Sequence, residues 1–452
     1  MRMARAVVAL TTLVVGACAP AISGSGDSIS RLEQARTADP NSAAVQRSLG
    51  IAYFKANRYP DAKTALQKAV SMDANDGVAA LYLGLNAEAQ NDFPGARAAY
   101  DSYLRVGKTR GVKNQIRERL VVVTRKENEA AAKAGVAAEQ RLGSIPGPPT
   151  TVAVMPFTFA GADTNYKPLE RGFAELVTTD LSRSARLTVL ERARLQSLLD
   201  EIALQRTTAV QAGTGVRAGK ILQAGRLVGG SITQVGTDQL SVSAIVTNVQ
   251  TTQIEGAGAR GQQAMEQLFT LEKTIVLGLF TNMNITLTTA ERNAIEQRPT
   301  RSLQAFLAYS RGLEAMDRGR YDDAGRQFDN AVRIDPSFGS AQQKSQEAKS
   351  GAAGAAVGVA SVEQGLRGTA EGAAVTASAQ GAASSGSSGS SASGVAEGLN
   401  PSTAGGATSG GVTSSTTPAS SSTSQTAASA TGATNPTSKT AKVTIVIQQP
   451  RP

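Results

Sequence analysis

The stretch Ser48–Val70, SLGIAYFKANRYPDAKTALQKAV, returns 34 residues later as Tyr82–Leu104, YLGLNAEAQNDFPGARAAYDSYL. Gly50 falls on Gly84, Tyr59 on Phe93, Ala62 on Ala96 and Leu66 on Tyr100. A period of this length marks a helix-turn-helix unit, with small residues where the paired helices approach and bulky ones filling the groove between them. Counting back one period from Ala69 and Ala74 reaches Ala35 and Pro40, so SISRLEQARTADP (28–40) reads as the second half of an earlier unit. About three units are needed before stacking buries a continuous core. The two and a half units of residues 28–109 are therefore expected to be closed by the helical stretch Gly111–Leu142, within a linker or capping segment of residues 110–145. The period returns once more. Gly312, Tyr321, Ala324, Phe328, Ala331 and Pro336 occupy the positions of Gly50, Tyr59, Ala62, Leu66, Ala69 and Ala74. A single unit cannot bury its own apolar face, so residues 300–349, one repeat with a capping helix, are expected to dock on their neighbours.

Between the repeats the pattern changes. IPGPP (145–149) breaks the helix, and TVAVMPF (151–157) is a β-branched, mostly apolar run suited to a buried strand. Helical LERGFAELVTTDLSRS (169–184), strand-like RLTVLER (186–192) and helical ARLQSLLDEIALQ (193–205) follow. GRLVGGSITQV (225–235) and QLSVSAIVTNVQTTQIEG (239–256) read as strands joined by a tight GTD turn, and AMEQLFTLEKTIVLGLFTNM (264–283) closes as a helix. Strands interspersed with helices, the later ones joined by hairpin-like turns, predict an α/β domain with a mixed sheet over residues 150–298.

The 34-residue units resemble tetratricopeptide repeats. From Thr150 to Leu287, the order of VAVMPFTFAG, the helix leading to Val189-Leu190-Glu191-Arg192, the Gly230-Ser231 strand and LSVSAIVTNVQTTQI resembles the periplasmic domain of the curli assembly/transport lipoprotein family. Similar pieces occur in the fold shared with the amino-terminal domain of the Tol translocation protein and with lipoprotein activators of peptidoglycan synthases. The resemblance implies that fold and an envelope location. Curli channels cross the outer membrane by two hairpins per subunit, and each such hairpin needs about twenty residues. Here the corresponding places hold only GTDQ, between Val235 and Leu240, and EGAGARGQQ, between Ile254 and the helix near Ala264.

The single cysteine and the absence of histidine exclude an internal disulfide, a Cys/His nucleophile pair and a Cys/His zinc site. The cysteine has another reading. Arg2 and Arg5, the apolar run Ala6–Val15 and small Gly16 and Ala17 form an export signal too short to span a bilayer. Val15-Gly16-Ala17-Cys18 resembles the lipobox of bacterial lipoproteins, which implies a signal peptide over residues 1–17, acylation of Cys18 and a flexible tether over residues 18–27. Ala19, rather than Asp, resembles lipoproteins sorted to the outer membrane. The formal charge of +10 comes with only 4% aromatic residues, no tryptophan and basic residues scattered along the chain, so no nucleic-acid partner is expected.

Candidate sites are few. GTGVRA (213–218) fits a dinucleotide-loop pattern but lacks the preceding strand that the pattern requires, and reads as a loop between helices. Glu191 and Arg192 read as a strand-end ion pair or a helix cap. Helix positions not used in repeat packing project Arg47, Ile51, Phe54, Leu81, Leu85 and Glu88, an apolar surface flanked by charge that suits a peptide or helix. The alternative is that several of these pack on the middle domain or the linker helix. No catalytic residue, metal ligand or cofactor is assigned. Residues 350–440 are rich in Gly, Ala, Ser and Thr and carry few charges (Glu363, Arg367, Glu371 and Glu397 up to Ser438), which predicts disorder. Residues 441–452 end the chain with a strand-like run in which Val443, Ile445 and Ile447 alternate with Thr444, Val446 and Gln448, suited to adding to a sheet edge. The expected whole is a non-enzymatic scaffold or adaptor for envelope assembly or secretion, lipid-anchored in the outer membrane and facing the periplasm. Its expected partners are periplasmic or outer-membrane proteins, and further copies of itself. The alternative is an oligomeric curli-type secretion-channel subunit.

Overall fold

The computed structural model describes residues 25–204 and 213–376. Cys18 and the strand-like residues 441–452 lie outside the described residues. The first helices are α1 (Ser25–Ala38), α2 (Ala43–Lys55), α3 (Tyr59–Met72), α4 (Gly77–Ala89) and α5 (Phe93–Val106), paired as the period predicts. Helix α1 thus begins inside the segment read as a tether. The register is written in the glycines: a Cβ on Gly50 would stand 2.5 Å from Leu66 Cγ, and one on Gly84 2.4 Å from the Tyr100 ring. The turns inside the pairs need positive φ, supplied by Asn57 and Asn91, both at 58°.

The long helix α6 (Arg110–Ala137) caps the array, and the short α7 (Glu139–Leu142) follows it. The α/β domain then runs β1 (Thr151–Val154), β2 (Thr158–Ala160), α8 (Leu169–Leu181), β3 (Thr188–Val189), α9 (Arg192–Leu204), α10 (Thr214–Ile221), β4 (Arg226–Val235), β5 (Gln239–Asn248), β6 (Ile254–Ala264), α11 (Leu268–Asn282) and α12 (Thr289–Ile295). Its sheet has the order β3-β1-β4-β5-β6, with β2 also on β4 beyond β1. Strand β1 pairs in parallel with β3 and β4, and β2 in parallel with β4, while β4 with β5 and β5 with β6 are antiparallel. Alternation along the strands sorts the side chains. Val152, Val154, Val228 and Ile232 join a core with α8 and α11, while Ala153 and Leu227 face the opposite core with α9, α10 and the end of α6.

EGAGARGQQ, given no element of its own from the sequence, forms most of β6, paired with β5 from Ile254 to Ala264. Its lack of β-branched residues hid it. Gly256 and Gly258, at φ 71° and 75°, take backbone conformations that other residues avoid, beside an irregularity in the ladder between Ala244 and Val246.

The isolated repeat is α13 (Leu303–Asp317) and α14 (Tyr321–Ile334), capped by α15 (Gly339–Ala356). It reproduces the first array in detail. A Cβ on Gly312 would meet the Phe328 ring at 2.5 Å, and Gly319, at the position of Asn57, has φ 69°. It docks as expected. Gly172 of α8 lets Ser310 come so close that a Cβ there would lie 2.0 Å from its Oγ, and Phe306 meets Phe269 of α11 edge-on at 5.3 Å. Arg192 completes this junction, not by pairing with Glu191: its Nε donates to Glu175 at 2.8 Å and its Nη1 to both oxygens of Asp317 at 2.7 Å.

The expectation of disorder from residue 350 fails over its first part. Helix α15 runs to Ala356, α16 spans Val359–Leu366, and residues 370–376 are helical. The small residues that read as low complexity are what allow the packing. A Cβ on Gly354 would lie 2.1 Å from the Glu118 carbonyl oxygen of α6, so α15 crosses α6 at a distance that only glycine permits.

Candidate partner-binding groove

Three of the six predicted groove residues lie on α2 and three on α4; the four apolar ones are buried, and Arg47 and Glu88 are partly exposed. Ile51, Phe54, Leu81 and Leu85 are no more than 8% exposed and belong to one buried apolar cluster that also contains Val357, Val362 and Leu366. The chain's own C-terminal segment joins this cluster: α16 packs on α6 and reaches α2 and α4 through Glu363, which meets Lys55 and Tyr82. Arg47 serves the repeat framework, its Nη1 donating to Asp76 Oδ2 at 2.8 Å while Asp76 caps α4 at Ala79 N–H. Glu88 accepts from Arg119 of α6 and from Tyr100 Oη at 3.1 Å, and Arg119 also donates to the Gly354 carbonyl at 3.1 Å. Repeat packing, α6 and the C-terminal segment therefore meet at Glu88.

Two carboxylates fasten the segment. Glu363 of α16 accepts from Tyr82 Oη at 2.8 Å and pairs with Lys55 Nζ at 3.1 Å. Glu371 sits deeper, 7% exposed, where α5 hands over to α6. Its Oε1 accepts from Lys108 N–H at 3.0 Å; its Oε2 accepts from Thr109 N–H at 2.9 Å and from Tyr103 Oη at 3.1 Å. Backbone donors at the start of a 28-residue helix suit an anion. Burial, reinforced by the adjoining carboxylates, raises the Tyr82 and Tyr103 phenols above their ordinary value, so both stay protonated donors. Further along, Gln115 Nε2 donates to the Ser361 carbonyl at 3.4 Å. Val357–Gly358 separates α15 from α16, and Gly368, at φ 73°, separates α16 from residues 370–376.

Neither Glu363 nor Glu371 was singled out as a site residue from the sequence. The available signal was their isolation, two of the four charges in a long Gly/Ala/Ser/Thr-rich stretch. GTGVRA opens α10, where Arg217 makes a two-pronged bond to Glu139 of α7 at 2.6 and 2.7 Å, a packing role. Among the described residues no group of three or more His, Cys, Asp or Glu is placed to hold a metal ion, and no helix is long and apolar enough to cross a membrane.

Fold and groove together define a helical repeat array joined to a mixed-sheet α/β domain. Residues 138–268 match the family model of the curli production assembly/transport component CsgG, and residues 24–77 and 48–110 match that of the tetratricopeptide repeat. The chain thus combines a region that matches the CsgG family model with tetratricopeptide repeats. No curated protein matches it.

Proposed function

We propose that this protein is exported, anchored through a lipid on Cys18 to the outer membrane facing the periplasm, and acts there as a non-enzymatic scaffold or adaptor in envelope assembly or secretion. The observation that carries this reading is the groove. A repeat array that grips a helical stretch of polypeptide through an apolar strip and two carboxylate receptors is suited to holding protein segments. The match to a curli assembly and transport family supports the envelope setting, and the lipobox-like Val15–Cys18 supports the anchor. The strand connections favour a scaffold over a channel subunit. Only Gly236–Asp238 joins β4 to β5, and only residues 249–253 join β5 to β6, against the twenty or so residues that a spanning hairpin requires.

The test is fractionation with crosslinking. Wild-type chain is expected in the outer-membrane fraction after a salt wash, crosslinked to other envelope proteins, and Cys18→Ser is expected to leave that fraction. Retention of Cys18→Ser would overturn the anchor, and a wild-type chain that crosslinks to no envelope protein would overturn the adaptor role.

A further inference from the structure

The segment in the groove is held in an unusual way. It has three large apolar anchors, Val357, Val362 and Leu366, and otherwise mostly small side chains. The extended Val357–Gly358 link and the Gly368 break divide it into pieces of about two turns each, and helices that short are not stable alone in water. Its helical form is therefore a product of the groove. Specificity comes from the carboxylates. Glu371 uses both oxygens on three donors that belong to the array and α6, and Glu363, eight residues earlier, meets Tyr82 and Lys55.

We propose that this groove is the docking site for a partner's acidic helical segment, and that residues 357–376 occupy it as an exchangeable internal stand-in. The ligand chemistry follows from what is seated there. It is a pair of short helical pieces joined through a glycine, with mostly small residues, three aliphatic anchors, and two carboxylates eight residues apart, one on each piece. The second carboxylate enters the pocket formed by the Lys108 and Thr109 N–H groups and the Tyr103 hydroxyl. The proposal rests on the scaffold reading and specifies its partner. Exchange exposes no unpaired charge in the groove, because the incoming carboxylates replace those that leave, whereas a neutral helix would leave the buried donors unmet.

The experiment uses the full chain and a fluorescent peptide with the sequence of residues 357–376. Val362→Asp with Leu366→Asp frees the groove. The freed chain is expected to bind the peptide saturably and at least tenfold more tightly than wild type does. A peptide carrying Glu363→Gln and Glu371→Gln is expected to bind the freed chain at least tenfold more weakly than the parent peptide. A freed chain that melts cooperatively yet does not bind the peptide, or that binds both peptides equally, overturns the proposal. Should the freed chain not fold, hydrogen exchange on ¹⁵N-labelled wild-type chain with excess unlabelled peptide decides. Faster exchange confined to residues 359–376 supports exchange of the segment, and an unchanged pattern at saturating peptide overturns it. Neither negative result touches the scaffold reading, which stands or falls on crosslinking in the membrane fraction.

Discussion

Glu272 of α11 is a single residue with a measurable consequence. It is fully buried, and its Oε2 lies 2.9 Å from the Lys273 ammonium, which opposes the effect of burial. Lys273 is shared with Asp180, which Arg183 also pairs at 3.0 Å. Burial, reinforced by the Asp180 charge, pushes the Glu272 carboxyl up to about 8. A carboxyl raised on folding holds its proton in the native chain after the unfolded chain has lost it. Its contribution to stability is therefore most favourable below the unfolded value near 4.5 and is lost as pH rises toward 8. Glu272→Gln is expected to remove this decline, on the order of 1 kcal/mol per pH unit between about 5 and 8. Thermal melts at pH 5 and pH 8 check it: the variant should gain more over wild type at pH 8, and an equal difference at both values would contradict the assignment.

At the scale of elements, the repeats and their capping helix α6 were legible, and the helical stretch beyond residue 350 was not. A 34-residue period is visible because Gly50, Gly84 and Gly312 must each admit a bulky partner from the second helix of the pair, a constraint that repeats in sequence. Strand β5 was legible because Leu240, Val242, Ala244 and Val246 alternate with polar or less buried neighbours. Strand β6 carries no such alternation of apolar residues, and its glycines mark a backbone requirement that a hydrophobicity pattern does not display. The same applies to the end of α15 beyond residue 349, whose fit to α6 comes from absent side chains, and to α16 with the residues around it, where Glu363, Glu371 and three aliphatics suffice. The groove residues were found from the repeat register, but their occupant was not, since nothing periodic links residues 357–376 to them. Helix α15 gives the corresponding prediction. Gly354→Val should part α15 from α6 and destabilise the chain by about 1 to 3 kcal/mol in urea unfolding. Gly339→Ala, with no atom within 4 Å of the added carbon, should cost little. Equal effects at the two positions would show that the crossing is not close-packed.

At the scale of the whole molecule, α6 connects the parts: it closes the first repeats, carries α15 along its middle and reaches the α/β domain through Ala132 and Val136. If the protein is a scaffold rather than a conduit, detergent-purified full-length chain should give no discrete conductance steps in planar bilayers, and reproducible channels would favour the secretion-channel alternative. The claim on which the account turns is that the repeat groove is filled by the chain's own C-terminal segment, and hydrogen exchange on the intact protein tests it most directly. Amides of residues 362–366 and 372–376 should be protected together with those of α2 and α4, and Glu371→Lys should release the segment's amides while the α/β sheet stays protected. Complete exchange of the segment at the earliest time point in the wild-type chain would contradict the account.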